Sequence, residues 1–332
     1  MELYEYEVKH GQLLRGLAPE CMVLLKSDGT FPLKAPGKVA LYGSGARETI
    51  KGGTGSGDVN VRHYTTVEEG LENAGFTVTT KAWLEGYSRL RQEAYKGFVA
   101  GIKAKAKEMG VPTIMLGMGA VMPEPEYDLP LDGEGDTAVF VLGRISGEGS
   151  DRAPAPGDFE LTQSEIRDIL ATREKYKNFL LVLNVGGVVD LTPVMAVENI
   201  LLLSQTGMTL GDSLADVILG KAYPSGKLAS TWAKWEDYCK VGDFAQMDDT
   251  RYKEGIYVGY RYFDSVDKTP LFPFGYGLGY TTFALGQPQV TVSGTQVSVK
   301  VPVKNTGSAL GKEVVQLYVS VPAGKLDQPY QV

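Results

Sequence analysis

The 332-residue chain is 43% hydrophobic and 22% charged, which is typical of a globular protein with one large and one smaller domain. Its net charge of −7 argues against nucleic acid as the main partner, and no apolar run is long enough to span a membrane. With two cysteines and two histidines, we expect no disulfide framework, no metal site and no cofactor. The N-terminal segment MELYEYEVKH lacks the apolar core of a secretory signal, so we expect a cytoplasmic protein.

The first 235 residues alternate between predicted helices and predicted buried strands. Thr66 is expected to begin a helix that Gly75 ends, and a capping box begins another helix at residue 162. The predicted helices cover residues 5–25, which turn apolar from residue 21, and 66–75, 82–109, 162–175 and 211–219. The predicted strands cover residues 38–42, 76–78, 138–142, 179–185 and 199–204. This alternation predicts an α/β fold, with a mostly parallel sheet sandwiched by helices.

The pattern changes after Gly286. Valines at positions 290, 292, 297, 299, 301 and 303 alternate with polar residues, and a further strand is expected at residues 314–320. This period-two pattern is typical of an antiparallel β-sandwich, which needs about 100 residues. Because only 46 residues follow Gly286, we expect an incomplete β-sandwich.

One carboxylic acid stands out where a buried strand ends. Residues 137–152 read TAVFVLGRISGEGSDR, and Glu148 lies between two glycines in the polar loop. Loops at the carboxyl ends of parallel strands carry ligand chemistry in open α/β sheets, and flanking glycines let a side chain approach a substrate closely. Glu148 is therefore a candidate general acid, with a merely solvated glutamate as the alternative. We expect Arg152 to point away from Glu148 and towards Asp151.

The glycine-rich segment at residues 51–58, KGGTGSGD, admits three interpretations. It matches neither GxxxxGK[ST] nor GxGxxG, which argues against nucleotide binding. It is either a structural loop or a loop that brings its backbone and Ser56 close to a sugar hydroxyl. Aromatic residues crowd positions 252–280, where most are expected to pack in the interior and a few could line a sugar site.

Seven motifs, taken together, resemble glycoside hydrolase family 3, the β-glucosidase group. They occur in the family's order and cover nearly the whole chain: VLLKSDGTFPL, KGGTGSGD, RISGEGSDR, GDSLADVILGKAYPSGKL, EGIYVGYRYFD, FPFGYGLGYT and GKEVVQLYVS. The resemblance implies an α/β sandwich domain at residues 1–235 and a connecting segment at residues 236–285. It further implies an incomplete fibronectin type III-like β-sandwich at residues 286–332.

The resemblance also implies an activity. The chain is similar to part of a retaining β-glucosidase that hydrolyses terminal, non-reducing β-D-glucosyl residues. In the family the Glu of the GEG motif is the catalytic acid/base, which corresponds to Glu148. The glycine-rich loop lines the sugar subsite, which corresponds to Gly55 and Ser56. Asp58 and Arg152 match motif positions, and we expect supporting roles for them in substrate binding.

The family's nucleophile is an Asp on a (β/α)₈ barrel, and no barrel motif occurs in this sequence. We therefore expect the barrel to lie outside the chain, on a rearranged gene or on a partner chain, and the chain alone to be inactive. The other expected partner is a β-glucoside or oligosaccharide, with a homodimer possible and no membrane or nucleic acid. The alternatives are β-xylosidase specificity, a non-catalytic carbohydrate-binding or scaffold module, and a nucleotide-binding module.

Overall fold

The computed structural model describes residues 3–53, 57–118, 120–145, 152–238, 248–249 and 251–322, together with residues 324 and 329. Six strands in these ranges form one sheet: β1 Val23–Lys26, β2 Lys38–Tyr42, β3 Thr77–Val78, β4 Thr137–Arg144, β5 Asn178–Val185 and β6 Ile200–Leu202. Their order across the sheet is β1-β6-β5-β4-β2-β3, and β1 alone of the six runs antiparallel to its neighbour. The predicted α/β fold with a mostly parallel sheet is confirmed.

Seven α-helices lie in the described ranges, and four of them lie between strands of this sheet. The seven are α1 Glu5–Cys21, α2 Val67–Asn73, α3 Lys81–Met109, α4 Thr113–Gly117, α5 Gln163–Lys175, α6 Leu210–Ile218 and α7 Tyr260–Phe263. The apolar residues after α1 form β1, and α4 lies in a proline-containing segment for which no regular structure was predicted. None of the helices in the described ranges is long and apolar enough to cross a membrane.

Two helices begin with capping boxes, where the sequence predicts a cap at Thr66 and a capping box at Thr162. The Thr66 hydroxyl accepts the backbone N–H of Glu69 at 3.2 Å, and the Glu69 carboxylate accepts the backbone N–H of Thr66 at 2.9 Å. Thr162 and Glu165 make the same reciprocal pair at 3.2 and 2.8 Å. These bonds satisfy N–H groups that a helix start leaves without an intrahelical partner.

The sheet forms the centre of the core, and its strand order creates a crevice. Every residue of β4 is buried, as are seven of the eight residues of β5, because helices cover both faces. The chain leaves β2 for β3 at the edge and then returns past β2 to form β4. The winding direction therefore reverses between β2 and β4, and ligands bind at such switch points, outside the carboxyl ends of the strands.

Beyond residue 280 the chain forms two small antiparallel sheets. Strand β7 Phe283–Leu285 pairs with β10 Val303–Asn305, and β8 Gln289–Ser293 pairs with β9 Gln296–Lys300. The strand predicted at residues 314–320 was wrong: these residues have no strand conformation, and their large apolar side chains are exposed. An alternating sequence cannot form a strand without a neighbour for its backbone groups, and no described strand pairs with this segment.

Part of the aromatic segment packs on the α/β region. Trp232 and Phe272 exchange backbone hydrogen bonds at 2.8 and 3.1 Å, and both side chains are buried. The Tyr280 hydroxyl donates to the carbonyl of Val217 in α6 at 3.1 Å. For these residues the packing interpretation of the aromatic segment is therefore correct.

Candidate active site

The loop after β2 lies directly against the end of β4. Gly43 has φ +91°, and a Cβ at this position would lie 2.4 Å from the carbonyl oxygen of Val141, so only glycine fits. The Ser44 hydroxyl accepts the backbone N–H of Gly143 at 2.9 Å, and the Gly45 N–H donates to the Val141 carbonyl at 2.9 Å. The two loops that leave the switch point therefore start from one hydrogen-bonded frame.

Asn184, at the end of β5, ties the glycine-rich loop to the loop after β6. Its side-chain oxygen accepts the N–H of Ile50 at 2.6 Å. Its amide donates to the carbonyls of Ile50 at 3.0 Å and Ser204 at 2.8 Å. A further bond joins the N–H of Gly207 to the carbonyl of Lys51 at 2.8 Å. The start of the loop at residues 51–58 is thus held on two sides.

Arg144, the last residue of β4, fixes the near end of the segment that carries Glu148. Its guanidinium makes a bidentate bond to the Glu165 carboxylate at 2.6 and 2.8 Å, and both side chains are at most 5% exposed. The Gln205 amide donates to the Arg144 carbonyl at 2.8 Å. Because its guanidinium and its carbonyl are both hydrogen-bonded, Arg144 has little freedom, and the segment after β4 starts from a fixed residue.

Asp158 fixes the far end of the same segment and joins it to the near end. Its carboxylate accepts hydrogen bonds from the Arg152 guanidinium and, at 2.7 Å, from the backbone N–H of Ala153. Its carbonyl accepts the Arg144 Nε–H at 3.1 Å. Arg152 is thus paired with Asp158, whereas Asp151, the expected partner, lies outside the described residues.

The structure describes two of the five predicted site residues. Glu148, Gly55 and Ser56 lie outside the described residues, so the predictions made for them remain predictions. Asp58 pairs with Lys51 at the base of the glycine-rich loop, and its side chain is 64% exposed. Arg152 lines a cavity at the carboxyl edge of the sheet. Their contacts close the ends of the two loops.

The cavity beside Arg152 has a volume of about 450 Å³. Phe98, Ile102 and Met122 give it an apolar wall, and Ile145 and Arg152 stand at its edge. These last two residues flank the segment that carries Glu148. The cavity therefore lies beside both described ends of the segment that carries Glu148, in a mostly apolar setting that suits ligand binding.

Glu124 is a buried carboxyl in the wall of this cavity. It accepts a hydrogen bond from the Tyr87 hydroxyl, and Glu165, Arg144 and Arg91 lie near enough to act on its charge. Burial raises the pKa of Glu124 from 4.5 to about 7; the negative charge of Glu165 adds to the increase, and the Tyr87 hydrogen bond opposes it. Glu124 therefore exchanges its proton near neutral pH.

Replacing Glu124 by Gln should change how stability depends on pH. A carboxyl whose pKa is higher in the folded than in the unfolded protein stabilises the fold below pH 4.5 and loses that contribution as pH rises through about 7. The difference in unfolding free energy between E124Q and the unmodified protein should therefore shift in favour of E124Q by roughly 1–3 kcal/mol from pH 5 to pH 8. Urea unfolding at pH 5 and pH 8 measures this shift. The same stability difference between the two proteins at both pH values would contradict a raised pKa of Glu124.

Sequence reasoning missed four residues of this frame: Glu124, Asp158, Asn184 and Gln205. One had a visible signal, because Asn184 is a polar residue inside the apolar run FLLVLNV. The other three occur in polar segments that give no sign of burial or of long-range partners. Within the described ranges, no group of three His, Cys, Asp or Glu side chains is placed to hold a metal ion.

The structure thus shows an α/β domain with a crevice at the switch point of its mostly parallel sheet, and Ile50, Ile145 and Arg152 line a cavity there. The family described as Glycosyl hydrolase family 3 C-terminal domain matches residues 22–280. The chain belongs to this family, and the resemblance found in the sequence is confirmed.

Relatives and solved structures agree with this assignment. The chain is 35% identical to beta-glucosidase A of Butyrivibrio fibrisolvens, over 98% of this chain and 43% of that protein. It is 33% identical to a beta-glucosidase of Ruminococcus albus, over 94% of this chain and 32% of that protein. The structure of beta-glucosidase 3B from Thermotoga neapolitana in complex with glycerol matches 98% of this chain and 45% of its own, with 34% identity and a TM-score of 0.79. The chain thus spans less than half the length of these relatives.

Proposed function

We propose that this chain is part of a retaining β-glucosidase that releases terminal, non-reducing β-D-glucosyl residues. Glu148 is its general acid/base, and the Asp nucleophile lies on a (β/α)₈ barrel outside the chain. The barrel and this chain together are called the complete glycosidase below. The glycine-rich loop contributes Gly55 and Ser56 to the sugar subsite, and Asp58 and Arg152 support the two loops.

One observation carries the proposal most strongly. The residues on either side of the Glu148 segment, Ile145 and Arg152, line one cavity at the switch point of a family 3 domain. Arg144 and Asp158 connect the two ends of the segment by a hydrogen bond. The relatives and structures cited above are named beta-glucosidases, which supports the substrate class.

The reaction needs two carboxyl groups about 5–5.5 Å apart. Protonated Glu148 gives its proton to the glycosidic oxygen while the nucleophile attacks the anomeric carbon and the alcohol leaves. The resulting carboxylate then takes a proton from water, whose oxygen attacks the glycosyl-enzyme and releases glucose. Burial under the sugar and the negative nucleophile both favour the protonated form of Glu148 before the first step.

Arg152 fits a supporting role in this scheme. A guanidinium directed at Glu148 would favour the carboxylate and so oppose proton donation. Its ion pair with Asp158 gives this charge a different partner. The pair also holds the far end of the loop, which is the contribution to substrate binding that we propose for Arg152.

The pure 332-residue chain is expected to show no turnover of an aryl β-glucoside, because the proposed nucleophile is not part of it. The measurement is release of a nitrophenol over the buffer rate, with the complete glycosidase as the positive control. Turnover by the chain alone would overturn the proposed division of the two carboxyl groups. Calorimetry with glucose tests the alternative of a non-catalytic sugar-binding module, which requires binding without the barrel.

The proposal includes a cytoplasmic location, supported by the low cysteine content. Fractionation of the source cells tests it directly, since activity in the medium or the envelope would contradict it.

A further inference from the structure

Asn184 is a fully buried polar side chain at the carboxyl end of a central strand. Its oxygen and its amide both bond to the backbone of Ile50, which is 134 residues away in the sequence. The remaining amide proton donates to the Ser204 carbonyl. The side chain thus makes the pair of hydrogen bonds to Ile50, in the loop after β2, that the backbone of a neighbouring strand would make.

The chemistry of the primary amide matches this position. Ile50 offers one donor and one acceptor, and an asparagine side chain meets both at once. A carboxylate of the same shape accepts but cannot donate, so it would face the carbonyls of Ile50 and Ser204 without a proton. Gly45 leaves room for the Asn184 side chain, because a Cβ at position 45 would lie only 3.3 Å from the Asn184 oxygen.

Ser204 gives a second sign that the local geometry is held in place. It has φ +60°, the only positive φ of a non-glycine residue in the described ranges. Such a conformation is strained for a residue with a side chain and persists where surrounding bonds impose it. Its carbonyl receives the Asn184 amide, and its N–H donates to the Leu183 carbonyl at 3.3 Å.

We propose that Asn184 is a positioning residue that fixes Ile50, the residue from which the proposed sugar-binding loop at residues 51–58 starts. This inference rests on the proposed function. Asn184 makes two bonds to Ile50, the residue that directly precedes this loop, and one to Ser204, whereas the bond between Arg144 and Asp158 that joins the two ends of the Glu148 segment does not involve it. Loss of the Asn184 bonds should therefore weaken binding of the sugar more than it slows proton transfer.

The test is Asn184→Asp in the complete glycosidase, with KM and kcat measured on an aryl β-glucoside. KM should rise about tenfold or more, since small displacements of positioning groups have large effects, and kcat should change less than threefold or so. Asn199→Asp is the matched control. Asn199 is also buried and accepts from Asp28 N–H and donates to the Phe179 carbonyl, but at the opposite end of β5. Its KM should equal that of the unmodified enzyme.

A smaller side chain covers the case in which the buried carboxylate prevents folding. Asn184→Ser introduces no charge and cannot bridge both backbone groups of Ile50, so it should show the same rise in KM. An unchanged KM in a folded Asn184 variant, a KM equal to that of N199D, or a fall in kcat alone would overturn the proposal. If the unmodified enzyme does not hydrolyse β-glucosides, the proposed function fails instead, and the two failures are therefore distinguishable.

Discussion

Replacing Glu148 by Gln in the complete glycosidase is expected to lower kcat about 10²–10⁴-fold on alkyl glucosides and oligosaccharides. These leaving groups need a proton as they depart, and an amide cannot supply one. Dinitrophenolate departs without protonation, so the first step on dinitrophenyl glucosides should be slowed much less. Steady-state and burst kinetics on the two substrate classes measure the contrast.

Asp151→Asn is the matched control for this change. It neutralises another carboxyl of the same segment, and we assign Asp151 no part in proton transfer. Its kcat should remain within about threefold of the unmodified enzyme on both substrate classes. An equal loss of the first-step rate with E148Q on good and poor leaving groups, with no rescue by azide, would remove Glu148 from the acid/base role.

Arg144→Leu is expected to destabilise the protein by about 3–5 kcal/mol. The substitution leaves the Glu165 carboxylate buried beside Glu124, without the guanidinium that now compensates its charge. It also removes the hydrogen bond from Arg144 to the Asp158 carbonyl, so the two ends of the Glu148 segment lose their connection. Urea-induced unfolding, followed by circular dichroism, measures the free energy of unfolding.

Two variants show whether this loss comes from a buried, unpaired charge. Arg173→Leu breaks the ion pair between Arg173, on α5, and Glu198, in the loop before β6, where both side chains are about a third or more exposed. This control should cost far less stability than R144L, because an exposed ion pair contributes little. The double variant R144L/E165Q removes both charges while Gln can still accept the Thr162 N–H, so it should recover much of the stability lost in R144L. A loss in R144L no larger than that in R173L would contradict the structural role given to Arg144.

Local chemistry made much of the fold predictable. The capping boxes at Thr66 and Thr162 need residues only three positions apart, and the apolar run of β4 shows its burial directly. The pattern at residues 314–320 misled because alternation predicts a strand only where a neighbouring strand exists. The strand prediction failed because strand pairing depends on distant residues, which the sequence of one segment does not reveal.

The candidate site was predictable in its loops but not in its frame. Glycine flanks and family motifs singled out Glu148 and Ser56, and both remain predictions because they lie outside the described residues. The bonds from Asn184 to Ile50 and from Gln205 to Arg144 depend on a strand order that places β4 between β2 and β5. Nothing in the spacing of these residues indicates that order.

The most direct test of the account is the product that E148Q forms from a dinitrophenyl β-glucoside in the presence of azide. Azide needs no general base, so it should attack the glycosyl-enzyme and restore turnover. Two inversions at the anomeric carbon would then give β-glucosyl azide, which proton NMR identifies by its anomeric coupling. Absence of a glucosyl azide, or formation of the α-anomer, would contradict Glu148 as the acid/base of a retaining enzyme.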